Sequence, residues 1–230
     1  MTTTFFTIWG IIFAFDGALI AFLTWAATSD RFAKYRIRSS ATYVIKPARK
    51  RINTMLNNVL SLCIFAFFVV YMAERALYEG WPAHFTTLLG EVLGVLMLYD
   101  VMYYFFHRAM HHRKLMKYVH KIHHQVRYPL ADESIYLHPA ENIGGLGCLL
   151  LAIWILAPIS AMSFLIIFFI HSAANIIVHS NLAFPHPAFR LFNFWTRAHD
   201  VHHFEVKHNY ASIFPFWDQL FGTSKPRSTP

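Results

Sequence analysis

The chain has 230 residues, 56% of them hydrophobic and only 14% charged, which is too apolar for an ordinary water-soluble domain and is expected of a membrane protein. The formal charge of +8 does not indicate nucleic acid, because eight of the twenty Lys and Arg fall between Arg31 and Arg51, directly after an apolar run, where they act as a membrane orientation signal. Cys63 and Cys148 lie in separate apolar stretches without CxxC spacing, so neither a disulfide framework nor a thiolate metal site is indicated.

Phe5 to Ala27 is the first apolar run; no basic residue precedes it and it is long for a signal-peptide core, so it reads as a retained anchor. Placing segment 31–51 in the cytoplasm puts the N-terminus outside, and the same basic string suits lipid headgroups. Val59 to Ala76 and Thr87 to Phe106 come next, each close to the roughly 20 helical residues that cross a bilayer core. Ile143 to Val178 is too long for one crossing, and Pro158 divides it into an expected hairpin of two helices. That hairpin returns the chain to the side on which the third span emerges. Beyond Asn181 the chain is mixed polar and aromatic, and its GTSKPRSTP end is expected to fray. The predicted fold class is all-α: an integral membrane protein with four to five bilayer-inserted helices and a cytoplasmic, helical, histidine-rich dimetal cap.

The foot of the third span reads HRAMHHRKLMKYVHKIHH, with six of the fifteen histidines in eighteen residues. His107 and His111 are four apart, as are His120 and His124, with His123 three from His120; His199, His202 and His203 repeat that second pattern. On a helix such spacings share a face, and neutral imidazole is the commonest side-chain metal ligand. One straight helix would leave His107 and His120 about 140° apart in direction and about 20 Å apart along the axis. A shared site therefore demands a bend within residues 112–119, although no Gly or Pro marks one. Adding His179, nine candidate ligands exceed the four of one zinc and suit two metals; iron is preferred because a pair of irons activates dioxygen. His112 faces away from His111 and is left out.

Several neighbours are candidates to support those ligands, since a metal-bound imidazole commonly donates its other N–H to a carboxylate or carbonyl. Asp100, two turns before His107, is costly inside a span without a role. Glu141, Asp200 and Glu205 are further carboxylates of this kind; His138 and His208 would orient ligands or complete a shell. His171, Asn175 and His179 form a stripe at four-residue spacing on the returning helix, suited to a substrate path. Trp81, Trp154, Trp195 and Trp217 flank or cap apolar segments and suit interfacial belts at least as well as substrate contacts.

HRAMH, HKIHH, HPAEN at 138–142, HSN at 179–181, and HDVHHFEVKHNY with PFWDQLFGT together resemble the fatty acid hydroxylase and sterol desaturase superfamily. The resemblance spans roughly Thr87 to Thr223. It implies a catalytic region at 87–223 after N-terminal membrane helices and a basic loop at 1–86, with a flexible tail at 224–230. It further implies a di-iron oxygenase using O2 on a membrane lipid of sterol or fatty-acyl type, by hydroxylation or desaturation. By the same resemblance the HxxxH motif falls on His107 and His111, and the two HxxHH motifs on His120, His123, His124 and on His199, His202, His203. Where an intermediate motif often pairs two histidines four apart, this chain has Asn175 and His179; where Asn-Tyr-Gly is frequent, it has Asn209, Tyr210, Ala211.

Neither a GxGxxG turn nor a haem or iron–sulfur cysteine motif is present, so electrons are expected from a separate ferredoxin or cytochrome b5-type protein. Arg113, Lys114, Lys117 and Lys121 form a basic surface on which an acidic donor would dock. An alternative from another class is a membrane protein that stores or passes zinc, with Glu91, Asp100 and His171 as the ionisable groups along its path.

Overall fold

The computed structural model describes residues 1–38 and 45–225. Residues 39–44 of the basic segment and 226–230 of the expected tail lie outside the described residues.

Five apolar helices form the body: α1 (Thr3–Thr28), α2 (Pro47–Tyr71), α4 (Phe85–Met110), α6 (Pro139–Ile155) and α7 (Ala161–Val178). Four of them are long and apolar enough to cross a membrane, and α6 is a shorter apolar helix. A short α3 (Ala73–Ala76) follows α2, and the cap is built from α5 (Arg113–Tyr118), α8 (Arg190–Glu205), α9 (Phe216–Leu220) and 3-10 turns. The hairpin at Pro158 is present, with α6 and α7 on either side. By contrast α2 starts at Pro47, well before the expected Val59. Proline is pre-set for the first helical turn; Arg49 and Arg51 extend that turn beyond the apolar stretch on long stems that keep their charges in water, and Lys50 pairs with Asp132 and Glu133 at 2.6 and 3.1 Å.

The helix ends sort to two sides. At one side, Asn53 and Asn57 at the start of α2 donate to the Leu137 carbonyl at 3.0 Å each, and the Asp132 amide donates to Thr24 Oγ1 near the end of α1 at 3.1 Å. This side carries the cap. At the other side, β1 (Leu77–Tyr78) pairs in parallel with β2 (Ile159–Ser160), a small departure from all-α. Glu91 sits beside that pair and accepts from the Tyr78 hydroxyl, the Ser160 amide and the Ser163 hydroxyl, which ties α4 to α7 where its charge would otherwise be costly.

Between these ends the packing is aromatic. Phe68 of α2 stacks on Phe164 of α7 at 5.4 Å, and Phe65 meets Phe168 edge-on at 4.9 Å, the offset and T-shaped arrangements that ring quadrupoles favour. Gly144 lets α6 approach α4, because a Cβ there would overlap the Phe106 ring. The outward faces remain apolar, with Ile11, Phe15, Phe22, Phe67 and Val70 exposed. Such a continuous apolar surface needs lipid around it, and the molecule is an integral membrane protein.

Candidate metal centre

The chain bends twice between the first two histidine motifs. α4 ends at Met110; His112 then turns extended (φ −62°, ψ 139°), and Val119 (φ −117°, ψ −73°) separates α5 from a 3-10 turn, His120–Gln125. Neither bend needs Gly or Pro, since both conformations are open to ordinary residues. As a result the His107 and His120 rings lie 5.0 Å apart.

All nine predicted histidines come together, in two groups. His107, His111, His120, His124 and His202 form one; His123, His179, His199 and His203 form the other, with one nitrogen of each within 4.8 Å of its group partners. The expectation that each motif converges on one point is corrected here. The pairs four apart stay together, but His123 leaves His120 and His124, and His202 leaves His199 and His203. Adjacent residues on a helix point about 100° apart, so His202 and His203 face different groups.

Six of these imidazoles have Nδ1 fixed by an acceptor. His107 Nδ1 donates to the Tyr210 carbonyl at 2.8 Å, His202 to the His208 carbonyl at 2.8 Å, and His203 to the Val126 carbonyl at 2.8 Å. His179 donates to the Asn175 carbonyl at 2.7 Å, His123 to the Tyr136 carbonyl at 3.4 Å, and His120 to Glu141 Oε1 at 2.8 Å. A carbonyl only accepts, so Nδ1 holds the proton and Nε2 presents a lone pair.

Those lone pairs face one another. Nε2 of His123 lies 3.1 Å from Nε2 of His203 and 3.5 Å from Nε2 of His179, although none of the three has a proton to donate. Nε2 of His107 and of His202 are buried with no hydrogen-bond partner among the described residues. Unpaired lone pairs this close and this buried are costly, and cations held between them remove that cost. The donor set fits two metal ions: five imidazoles for one and four for the other, all neutral nitrogen ligands of the kind that suit iron, copper, nickel or zinc. Neutrality is enforced by the surroundings. Burial, and then neighbouring imidazoles, hold His123, His124, His199, His202 and His203 well below the ordinary histidine pKa. Burial takes His120 down to about 3 and His179 to about 4.

The other predicted residues divide. Glu141 reaches an imidazole directly. Asp100 does not: its carboxylate accepts the backbone N–H groups of Ser212, Ile213 and Phe214 at 2.9, 2.9 and 2.7 Å, fixing the segment just after Tyr210. Asp200 pairs with Arg38. His138 accepts from the Ala140 amide and caps α6, and His208 contributes its carbonyl. Glu205 binds Lys225 at 2.6 Å. Asp218 is a residue that sequence reasoning missed. It accepts from the amides of Tyr210 and Ala211 at 2.8 and 2.9 Å and from the Thr223 hydroxyl at 2.7 Å. Its place in PFWDQLFGT was the available signal.

A cavity of about 710 Å3 opens onto the histidines, within the roughly 300–1,000 Å3 typical of small-molecule sites. Tyr103, Val178, Trp195 and Ile213 supply apolar wall, and Asn175 and Glu141 face it beside His107, His123, His179 and His199. Of the two readings open for Trp195, a belt or a substrate contact, its place on the cavity wall fits the second, and its indole N–H bonds the Ile213 carbonyl at 2.9 Å.

Residues 92–223 match the profile of a family described as Fatty acid hydroxylase. The chain belongs to that family. Among curated relatives of this fatty acid hydroxylase family member, methylsterol monooxygenase 1 of Rattus norvegicus is 28% identical over 92% of the chain and 72% of its own length. Methylsterol monooxygenase 1 of Gallus gallus is 31% identical over 70% of the chain, which spans only 55% of that protein. A very-long-chain aldehyde decarbonylase of Oryza sativa subsp. indica is 29% identical over 84% of the chain and 75% of its own length. No solved structure matches. Together these place the chain among oxygen-dependent oxidoreductases that act on lipids.

Both departures from the family pattern have a physical setting. Asn175 stands one turn before His179, as a histidine would, and lines the cavity. The left-handed turn of Asn209-Tyr210-Ala211 falls on Asn209, at φ 58°, a conformation Asn tolerates, so nothing there requires glycine at Ala211. The zinc-transport alternative is not favoured. Glu91 and Asp100 are each tied to separate structural contacts, and His171 Nε2 lies 3.1 Å from the Tyr99 hydroxyl.

Proposed function

We propose that the protein is a membrane-embedded di-iron monooxygenase that hydroxylates a methylated, sterol-type lipid, with the nine histidines as ligands. The observation that carries this reading is the pair of imidazole groups with converging lone pairs beside a cavity that has Val178, Trp195 and Ile213 on its wall. The methylsterol monooxygenase relatives support the substrate class.

Two irons held there would supply the activation of dioxygen needed to break an unactivated C–H bond. The chain's own residues do the rest. Glu141 and the backbone carbonyls keep a proton on Nδ1 of six imidazoles and aim Nε2 inward. Tyr103, Val178, Trp195 and Ile213 hold the lipid skeleton in apolar surroundings and keep water from the reacting carbon. Asp100 and Asp218 pin residues 210–214 from two sides, which fixes both the Tyr210 carbonyl and the Ile213 wall.

Electrons come from a separate protein of ferredoxin or cytochrome b5 type. Arg113, Lys114, Lys117 and Lys121 are exposed on α5 and the adjoining turn, next to the His120 motif, and suit an acidic donor. Reversing these four charges is expected to slow donor-coupled turnover about tenfold at low salt while leaving metal content unchanged. The cap lies on the cytoplasmic side in this reading, because the basic segment reaches it through Arg38.

The test is incubation of iron-loaded protein with a 4-methylsterol, O2 and a reducing system, followed by mass spectrometry of the lipid. Gain of one oxygen on the methyl group is expected. Loss of two hydrogens without gain of oxygen would make the enzyme a desaturase, and turnover of a long-chain aldehyde instead would move it toward the rice relative.

A further inference from the structure

The basic segment does more than orient the chain in the membrane. Its residues 35–38 run beside the stretch that follows His179: Arg36 bridges Leu182 in antiparallel fashion, the Ile37 amide donates to the Asn181 carbonyl at 3.0 Å, and the Ala183 amide donates to the Tyr35 carbonyl at 2.8 Å. Asn181, left-handed at φ 55°, exchanges two bonds with the Arg38 backbone: Arg38 N to Asn181 Oδ1 at 3.1 Å and Asn181 Nδ2 to Arg38 O at 3.2 Å. The Arg38 side chain then crosses to α8. Its Nε and second terminal nitrogen bond the two carboxylate oxygens of Asp200 at 2.9 and 3.1 Å, and its guanidinium lies 4.3 Å from the Phe204 ring centre.

Resting on the metal-centre reading above, we propose that Arg38 is a positioning residue for the four-histidine group. That group draws its members from three elements: His123 from the 3-10 turn, His179 from the end of α7, and His199 and His203 from α8. Arg38 fastens the second of these to the third, through its backbone on one side and its side chain on the other. Asp200 is next in sequence to His199, so the fork holds the helix at the ligand itself. A planar bidentate guanidinium fixes orientation as well as distance, which an ammonium does not. The five-histidine group depends on α8 only for His202 and takes the rest from α4 and the 3-10 turn. The clamp therefore bears on three of the four ligands of this group, His179, His199 and His203, but on one of the five of the other.

Metal content of the iron-loaded, detergent-purified full chain, read by mass spectrometry beside its thermal unfolding midpoint, tests this. Arg38→Met and Asp200→Asn are expected to hold about one ion per chain where the unaltered protein holds about two. Arg38→Lys, which keeps the charge without the fork, is expected between them. Arg49→Met, which removes an exposed charge from the same segment, is expected to keep both. Retention of two ions by Arg38→Met would overturn the clamp. So would loss of both together, which would make Arg38 a general stabiliser. An unaltered protein without metal would instead sink the metal-centre reading, and the clamp with it.

Discussion

Seen from the cavity, the five-histidine group lies behind the four-histidine group: His107 is its one member on the cavity wall, whereas His123, His179 and His199 all line it. The rear group takes His107 and His111 from the end of a membrane helix and has Glu141, a carboxylate, behind His120. The front group is gathered from a 3-10 turn and the ends of two helices, and every acceptor seen behind it is a neutral carbonyl. Asn175 stands beside it on the cavity wall, one turn before His179. In our reading the front group, which lines the cavity, would hold its metal where oxygen and lipid meet, and the rear group, with one more imidazole, would hold its metal more firmly.

The largest difference is expected from removing one ligand at each site. His123→Ala takes the front group from four to three imidazoles; it should lose its ion and cut lipid oxidation by at least about 100-fold. His111→Ala leaves four at the rear, a complete set for many metals, and should keep both ions by mass spectrometry. Equal losses in the two variants would break the comparison. Next, Glu141→Gln keeps a hydrogen-bond acceptor for His120 but removes its charge. About 10–100-fold weaker binding of one ion is expected in a chelator titration, with the other unmoved; weakening of both would mean that the groups are not independent. The smallest effect is expected from Asn175→His, which would equalise the groups at five. Chelator should then strip the front ion roughly threefold to tenfold more slowly, and no change would show that position 175 does not face the metal.

Much of this was legible in the residues. The spans follow hydropathy and the hairpin follows Pro158; the pairs four apart on α-helix, His107 with His111 and His199 with His203, stay together as helical spacing requires, whereas His120 and His124 stay together on a 3-10 turn. The split of the second HxxHH motif was legible in principle, since the adjacent His202 and His203 point about 100° apart on α8; that of the first depends on the 3-10 turn that carries it. What had no sequence signature was the backbone: the carbonyls of Val126, Tyr136, Asn175, His208 and Tyr210 that orient the ligands would be offered by almost any residue type at those positions. Asp100, suspected because a carboxylate inside a span is costly, and Asp200, suspected as an acceptor for a ligand imidazole, each bond another element instead, one residues 212–214 and the other Arg38. Those partners lie 112 and 162 residues away in sequence, and only folding brings them within reach.

The central claim is that nine histidines hold two metals, and metal analysis of the purified, folded protein tests it most directly. About two iron ions per chain are expected, falling to about one in His123→Ala. Protein that is folded yet takes up no metal under iron reconstitution would contradict the account.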